Sequence, residues 1–206
     1  MGRIIDISMT IHEDMQSWMS RAAKRPIIVN TATHEADNVY ESRIDLDLHT
    51  GTHVDAPLHM LAGGETIETI ALERLIGPAR VLDLMHVDDV ITKADLEPFD
   101  LQRGERVLLK TKSSLSETFL TDFAFLRADG AQHLIDCGVS LVGTDALGIE
   151  RSQPDYPTHR SLMRAGIVIV EGLRLAHVEP GAYQLVVAPL KLTGVEAAPA
   201  RAFLMD

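Results

Sequence analysis

The chain is predicted to fold as a strand-rich, mixed α/β domain with a few short helices. Three observations predict it. Nine short runs rich in Val, Ile and Leu recur along the 206 residues. Only three stretches carry helix signals, and all three are short. No internal repeat, low-complexity tract or Pro/Gly/Ser-rich linker divides the chain, and two independent cores are not expected at this length, so residues 1–206 read as one compact domain.

The strand candidates, in order, are RIIDIS, RPIIVNTAT, SRIDLDLHT, ARVLDLM, ERVLLKT, SLVGTD, GIVIVEG, YQLVVAP and ARAFLM. Each is short, apolar or alternating, and enriched in β-branched residues. In the third, Ile44, Leu46 and Leu48 fall on one face and Asp45, Asp47 and His49 on the other. That places His49 on the polar face at a strand end. The helix candidates are ITKADLEPF, RADGAQHLIDCG and PTHRSLMRAG. Thr92 followed by Asp95 is a variant of the capping pattern. Gly138 is a C-cap signal. Pro157 early and Gly166 late bound the third helix. This pattern indicates a mixed α/β class and leaves the strand order open.

Composition excludes several functions. With 46% apolar and 24% charged residues the chain is an ordinary globular one. No apolar run reaches the length of a membrane span, and MGRIIDISMT lacks the apolar core of a signal peptide. A formal charge of −11, without a Lys/Arg cluster, argues against nucleic acid as a partner. The single cysteine, Cys137, excludes an intrachain disulfide, fits a reducing cytoplasm, and is expected as a small buried residue. Met15, Met19, Met60 and Met85 are expected to fill core or pocket gaps. There is no Gly-x-Ser-x-Gly elbow, Walker loop or Gly-x-Gly-x-x-Gly fingerprint.

The chemistry is concentrated in residues 49–59, HTGTHVDAPLH. Gly51 permits a sharp turn. His53 and Asp55, two apart, point the same way in an extended segment, with Val54 opposite. Pro57 stiffens the exit and disfavours an ordinary helix. Imidazole and carboxylate are ligands for Zn²⁺ and are accepted by Mn²⁺ or Fe²⁺. Two His and one Asp leave a coordination position open, which is the catalytic arrangement. Glu171, at the end of an apolar run, and His159, in the first turn of a short helix, are candidates to complete the site. The isolated His12, His34, His86, His133 and His177 are read as ordinary core or surface residues.

HTGTHVDAPLH resembles the His-x-Gly-Thr-His-x-Asp-x-Pro-x-His motif of the cyclase-like metal-dependent hydrolases, which include bacterial kynurenine formamidases and isatin hydrolases. MTIHEDMQSW, GGETIETIALERLIGPARVLDL, LVGTDALGIE, PTHRSLMRAGIVIVEGLRL and APLKLTGVEAAPARAFL are similar to further family segments in the same order, so the resemblance spans the chain. It implies a swivelling β/β/α fold. It implies His49, His53 and Asp55 as ligands of a first ion, with Asp55 bridging to a second. His159 and Glu171 complete the second site, Glu171 being shared. His59 corresponds to the catalytic acid/base and Trp18 to a substrate-contacting tryptophan. One or two divalent ions per subunit are implied, zinc first and manganese second, along with a small-molecule substrate and a homo-oligomer, dimer or tetramer.

The chain departs from the formamidase pattern at three places. Trp18 is followed by Met19, Ser20 and Arg21 rather than Pro-Gly-Asp; Thr52 replaces Ala; Arg160 stands where a second histidine is usual. The expected activity is hydrolysis of an amide-type C–N bond, with N-formylkynurenine the leading substrate. The alternatives are an isatin-type lactam or lactone hydrolase or cyclase on the same site, and a non-catalytic metal- or ligand-binding protein.

Overall fold

Apolar runs bury both faces of a central sheet in the computed structural model, which describes residues 2–206. The strands are β1 Ile4–Asp6, β2 Ile27–Ala32, β3 Glu41–Asp45, β4 His53–Asp55, β5 Ile76–Asp83, β6 Val90–Ile91, β7 Arg106–Lys110, β8 Phe125–Leu126, β9 Leu141–Thr144, β10 Val168–Glu171, β11 Gly181–Pro189 and β12 Ala197–Met205. The helices are α1 His34–Asp37, α2 Leu72–Leu75, α3 Lys93–Leu96, α4 Ala128–Cys137 and α5 Pro157–Arg164.

Alternation decides which core each side chain enters. Val81, Leu108, Leu141, Val168 and Val170 enter one apolar cluster with Val54, Leu185 and Leu204. Their neighbours Leu82, Val107, Leu109, Val142 and Ile169 enter a second, covered by Leu96, Leu134, Leu162 and Met163 of α3, α4 and α5. Strands buried on both sides read as continuous apolar runs, as these do.

The sheet order is β1-β12-β11-β5-β7-β9-β10-β4, and β4 also pairs with β12. The sheet therefore closes on itself through β4, with β1 attached to the far half of β12. The run β5, β7, β9, β10 is parallel; β4, β11 and β1 pair antiparallel with their neighbours. Two further pairs, β2–β3 and β6–β8, stand outside this sheet. No helix among the described residues is long and apolar enough to cross a membrane.

The three expected helices form where their signals lie. Thr92 and Asp95 make a reciprocal capping box on α3. Gly138 takes the left-handed cap of α4, and Gly166, also at positive φ, follows α5. The single-turn helices α1 and α2 carry too few residues for a periodic signal.

Three expectations are corrected. The run SRIDLDLHT does not stay extended to His49: β3 ends at Asp45, and His49 lies in a turn. The Asp47 side chain accepts a hydrogen bond from the His49 amide (3.0 Å), and the Asp47 carbonyl accepts one from Thr50 (3.0 Å). This local aspartate turn outcompetes the strand alternation. Met19 is also exposed rather than filling a gap, and Cys137 is only half-buried.

Asp145, just after β9, is buried and accepts from the Thr111 amide (2.9 Å), the Thr111 hydroxyl (2.6 Å) and the Ser114 hydroxyl (2.8 Å). Burial outweighs these bonds and pushes its carboxyl from 3.8 up to about 6. The folded state then holds this proton more tightly than the unfolded chain. The group's contribution is full below pH ~4, falls as pH rises through ~6, and stays low above that. Asp145→Asn, which keeps an acceptor for the Thr111 amide, is expected to gain stability relative to wild type between pH 4 and 7, by up to roughly 3 kcal/mol. Urea titrations at a series of pH values check this; a pH-independent difference contradicts it.

Candidate active site

The turn before β4 is fixed from several directions. Gly51 has φ +63°. The Thr52 hydroxyl donates to the Gly172 carbonyl (2.6 Å) and accepts from the Met9 amide (2.8 Å). A Cβ on Gly172 would lie 2.3 Å from the Gly51 carbonyl oxygen, so only glycine lets the end of β10 approach this turn. Thr52 thus ties together three segments, which gives its hydroxyl a scaffold role.

In β4, Val54 turns into the inner core while His53 and Asp55 face the other way. The antiparallel register sets His53 opposite Glu171. Pro57–His59 forms one 3-10 turn that presents His59, and the first turn of α5 presents His159. The predicted residues converge. Asp55 Oδ1 lies 3.1 Å from His49 Nδ1 and 3.5 Å from His53 Nε2. Glu171 lies 3.4 Å from His53 Nε2 through Oε2 and 3.3 Å from His159 Nε2 through Oε1. His159 Nε2 is 3.9 Å from Asp55 Oδ2. The His59 ring centroid is 4.3 Å from that of His49 and 5.9 Å from that of His159.

This arrangement fits a cation. Both Asp55 oxygens and His53 Nε2 are buried without a hydrogen-bond partner. Buried polar atoms are normally paired. Burial depresses His53 and His159, but the neighbouring carboxylates more than reverse this and raise them to about 9 and about 10. Burial raises Glu171, but the two imidazoles bring it well below the usual carboxylate range. The carboxylates thus draw positive charge into their midst, which a divalent ion would supply while leaving the imidazoles neutral. Two groups of ligand atoms lie within 4.8 Å of one another: His49, Asp55 and His59, and His53, Asp55 and Glu171. Asp55 belongs to both. His59 stands differently from the rest, because burial holds its imidazole below the ordinary value.

A cavity of about 220 Å³ opens over this cluster. Trp18, Tyr156, Met60 and Leu147 wall it. Trp18 meets Phe119 and Phe123 edge-on, with centroids at 5.2 and 5.9 Å, and lies so close to Gly148 that a Cβ there would be 2.7 Å from the ring. Met19 and Ser20 follow at φ 56° and 54°, both left-handed. Lys24 and Asp47, 3.0 Å apart, also line the cavity. Sequence reasoning missed these two, and also Glu150, whose buried carboxylate holds His159. The only signal for Glu150 was an acid preceding Pro157-Thr158-His159 by a short loop.

A closed, strand-rich α/β sheet that gathers His, Asp and Glu side chains around β4 and the carboxyl end of β10 is the arrangement of a metal-dependent hydrolase. The chain belongs to the Cyclase family, whose model matches residues 5–151. It is 36% identical over 206 residues to a kynurenine formamidase from Salinibacter ruber, covering 98% of this chain and 97% of that one. A kynurenine formamidase from Bacillus cereus is 33% identical over 204 residues, covering 97% and 96%. Among known structures, a "predicted metal-dependent hydrolase" from Bacillus stearothermophilus superposes with a TM-score of 0.91 at 48% identity, covering 99% of this chain and 98% of that one. Isatin hydrolase A from Ralstonia solanacearum shares the fold, with a TM-score of 0.87 at 22% identity over 98% and 91% of the two chains.

Proposed function

We propose that residues 1–206 form one catalytic domain that hydrolyses an amide-type C–N bond of a small aromatic substrate, with N-formylkynurenine first among candidates. The observation that carries this reading is Asp55: a buried carboxylate without a hydrogen-bond donor, ringed by His49, His53, His159 and Glu171 under an aromatic-walled cavity. His49, His53 and Asp55 would hold one ion; His159, Glu171 and the shared Asp55 would hold a second. Zinc suits this nitrogen-and-oxygen donor set best, with manganese next. When bound, the ion supplies Lewis acidity that polarises a carbonyl and acidifies water.

The protein's own groups do the rest. Trp18 and Tyr156 sandwich or edge an aromatic ring and exclude water beside it. Lys24 and Asp47 offer both charges to the carboxylate and ammonium of an amino-acid end. Water adds to the formyl carbon and the C–N bond breaks. His59, kept neutral by burial, takes a proton from the water and returns it to the leaving nitrogen, giving an amine and formate. The reading is tested by assaying N-formylkynurenine and isatin with and without chelator, then restoring Zn²⁺ or Mn²⁺ separately. Chelator-sensitive turnover of the formamide supports it. Turnover of isatin alone replaces it with lactam opening. Stoichiometric ion binding without turnover of any amide, lactam or lactone replaces it with a binding role.

The working unit is a homo-oligomer in the cytoplasm, where a lone thiol stays reduced. The β2–β3 hairpin supports the oligomer. It pairs only with itself and exposes Ile27, Ile28, Val29, Tyr40 and Ile44. A lone two-stranded hairpin is marginal in water, and this one gains by apolar cover. A second copy of the chain is the occupant we assign. Sedimentation should give a dimer or tetramer for the wild type and a smaller species for Ile28→Asp/Ile44→Asp, which places charges on a directly paired position. A monomeric wild type contradicts the assignment.

A further inference from the structure

We propose that Glu150 is a positioning residue that sets the His159 ring for ion binding. The inference rests on reading His159 as a ligand. The Glu150 side chain is fully buried. A buried carboxylate is tolerated only when its lone pairs are used. Oε2 accepts from the His159 amide (2.9 Å) and from His159 Nδ1 (2.8 Å). Oε1 accepts from Gln153 Nε2 (2.8 Å) and the Thr158 amide (3.3 Å). One oxygen therefore grips the backbone and the ring of the same histidine.

Two consequences follow from this grip. With Nδ1–H donating to a carboxylate, the ring's free lone pair belongs to Nε2. That atom points at Glu171 Oε1 and Asp55 Oδ2. Carboxylate–imidazole pairs of this kind fix the tautomer and raise ligand basicity. Secondly, Tyr156 gives α5 no side-chain cap, and Glu150 takes over that task at the Thr158 and His159 amides. The same carboxylate thereby fixes where the helix starts and which way the ring turns. Leu126 adds a further anchor, its carbonyl accepting the Thr158 hydroxyl (2.8 Å).

The test is Zn²⁺ titration by calorimetry on the full-length wild type, Glu150→Gln, His159→Ala and the double variant, with circular dichroism confirming the fold. Glu150→Gln retains size but offers an amide where donors already crowd. It is expected to weaken the His159-dependent ion about 10–100-fold. It should add nothing once His159 is alanine, since a positioning residue acts only through the ring. Glu150→Asp, which keeps the charge on a shorter arm, should recover part of the loss. If His159→Ala leaves Zn²⁺ binding unchanged, His159 is not a ligand and both readings fall. If His159→Ala weakens binding while Glu150→Gln does not, Glu150 alone is overturned. Equal losses from Glu150→Gln in both backgrounds would mean a purely structural cap and would also overturn it.

Discussion

His59→Ala is expected to lower kcat by about 10²–10⁴-fold while the ion content stays at the wild-type value. The geometry makes this a discriminating result. His59 sits on a 3-10 turn, with its ring beside those of His49 and His159 rather than deep between the carboxylates. It also makes a group of potential ligand atoms with His49 and Asp55. A ligand and a proton carrier are therefore both available readings of its position, and they part on ion content. Metal analysis of the purified variant beside its kcat separates them. Loss of turnover with the ion retained identifies the proton carrier. Loss of both makes His59 a ligand and moves the acid/base role elsewhere. Burial lowers its pKa, so the acid limb of kcat/KM in the wild type should fall below the ordinary histidine value of 6.5. The neutral imidazole is the form that accepts a proton, so activity is lost as pH drops through that limb.

Much of this site was legible in the sequence, because His49, His53, Asp55 and His59 fall within one short segment and their spacing encodes direction. His53, Val54 and Asp55 needed only the period of an extended segment. Glu171 closed an apolar run that read as a strand, with its carboxylate facing either solvent or a site, and the register with β4 put it opposite His53. His49 was found for a partly wrong reason. Its strand alternation is real in the sequence, but nothing covers that face of β3, and a side-chain bond from Asp47 turns the chain first. The alternation was therefore written for the exposed hairpin rather than for the core. Glu150, Lys24 and Asp47 were not legible. Each sits in a loop or turn, where no periodicity tells which way a lone charged side chain points. The closure of the sheet through β4 was equally hidden: three residues pair on both edges, and no local pattern specifies which strands flank them.

Asp55→Ala is expected to abolish turnover and ion retention together, the largest effect of any single substitution. Asp55 is the one residue common to both groups of ligand atoms. Its two oxygens are buried and receive no hydrogen bond from the protein, which suits them to a cation. The same fact makes a stability prediction that needs no assay of activity. An ion that binds only the folded chain, at about 1,000 times its Kd, stabilises it by roughly 4 kcal/mol. For a chain of this length that is a Tm shift of about 10 °C. Chelator should therefore lower the wild-type Tm by about that amount, and restored Zn²⁺ or Mn²⁺ should return it. Asp55→Ala should melt at the same temperature with and without chelator. His53→Ala should behave alike, for its Nε2 faces both Asp55 on its own strand and Glu171 on the neighbouring strand. A chelator-sensitive Tm surviving in Asp55→Ala would mean that the stabilising ion sits elsewhere. The buried carboxylate would then be held by its imidazole neighbours alone, His49 Nδ1 at 3.1 Å and His53 Nε2 at 3.5 Å.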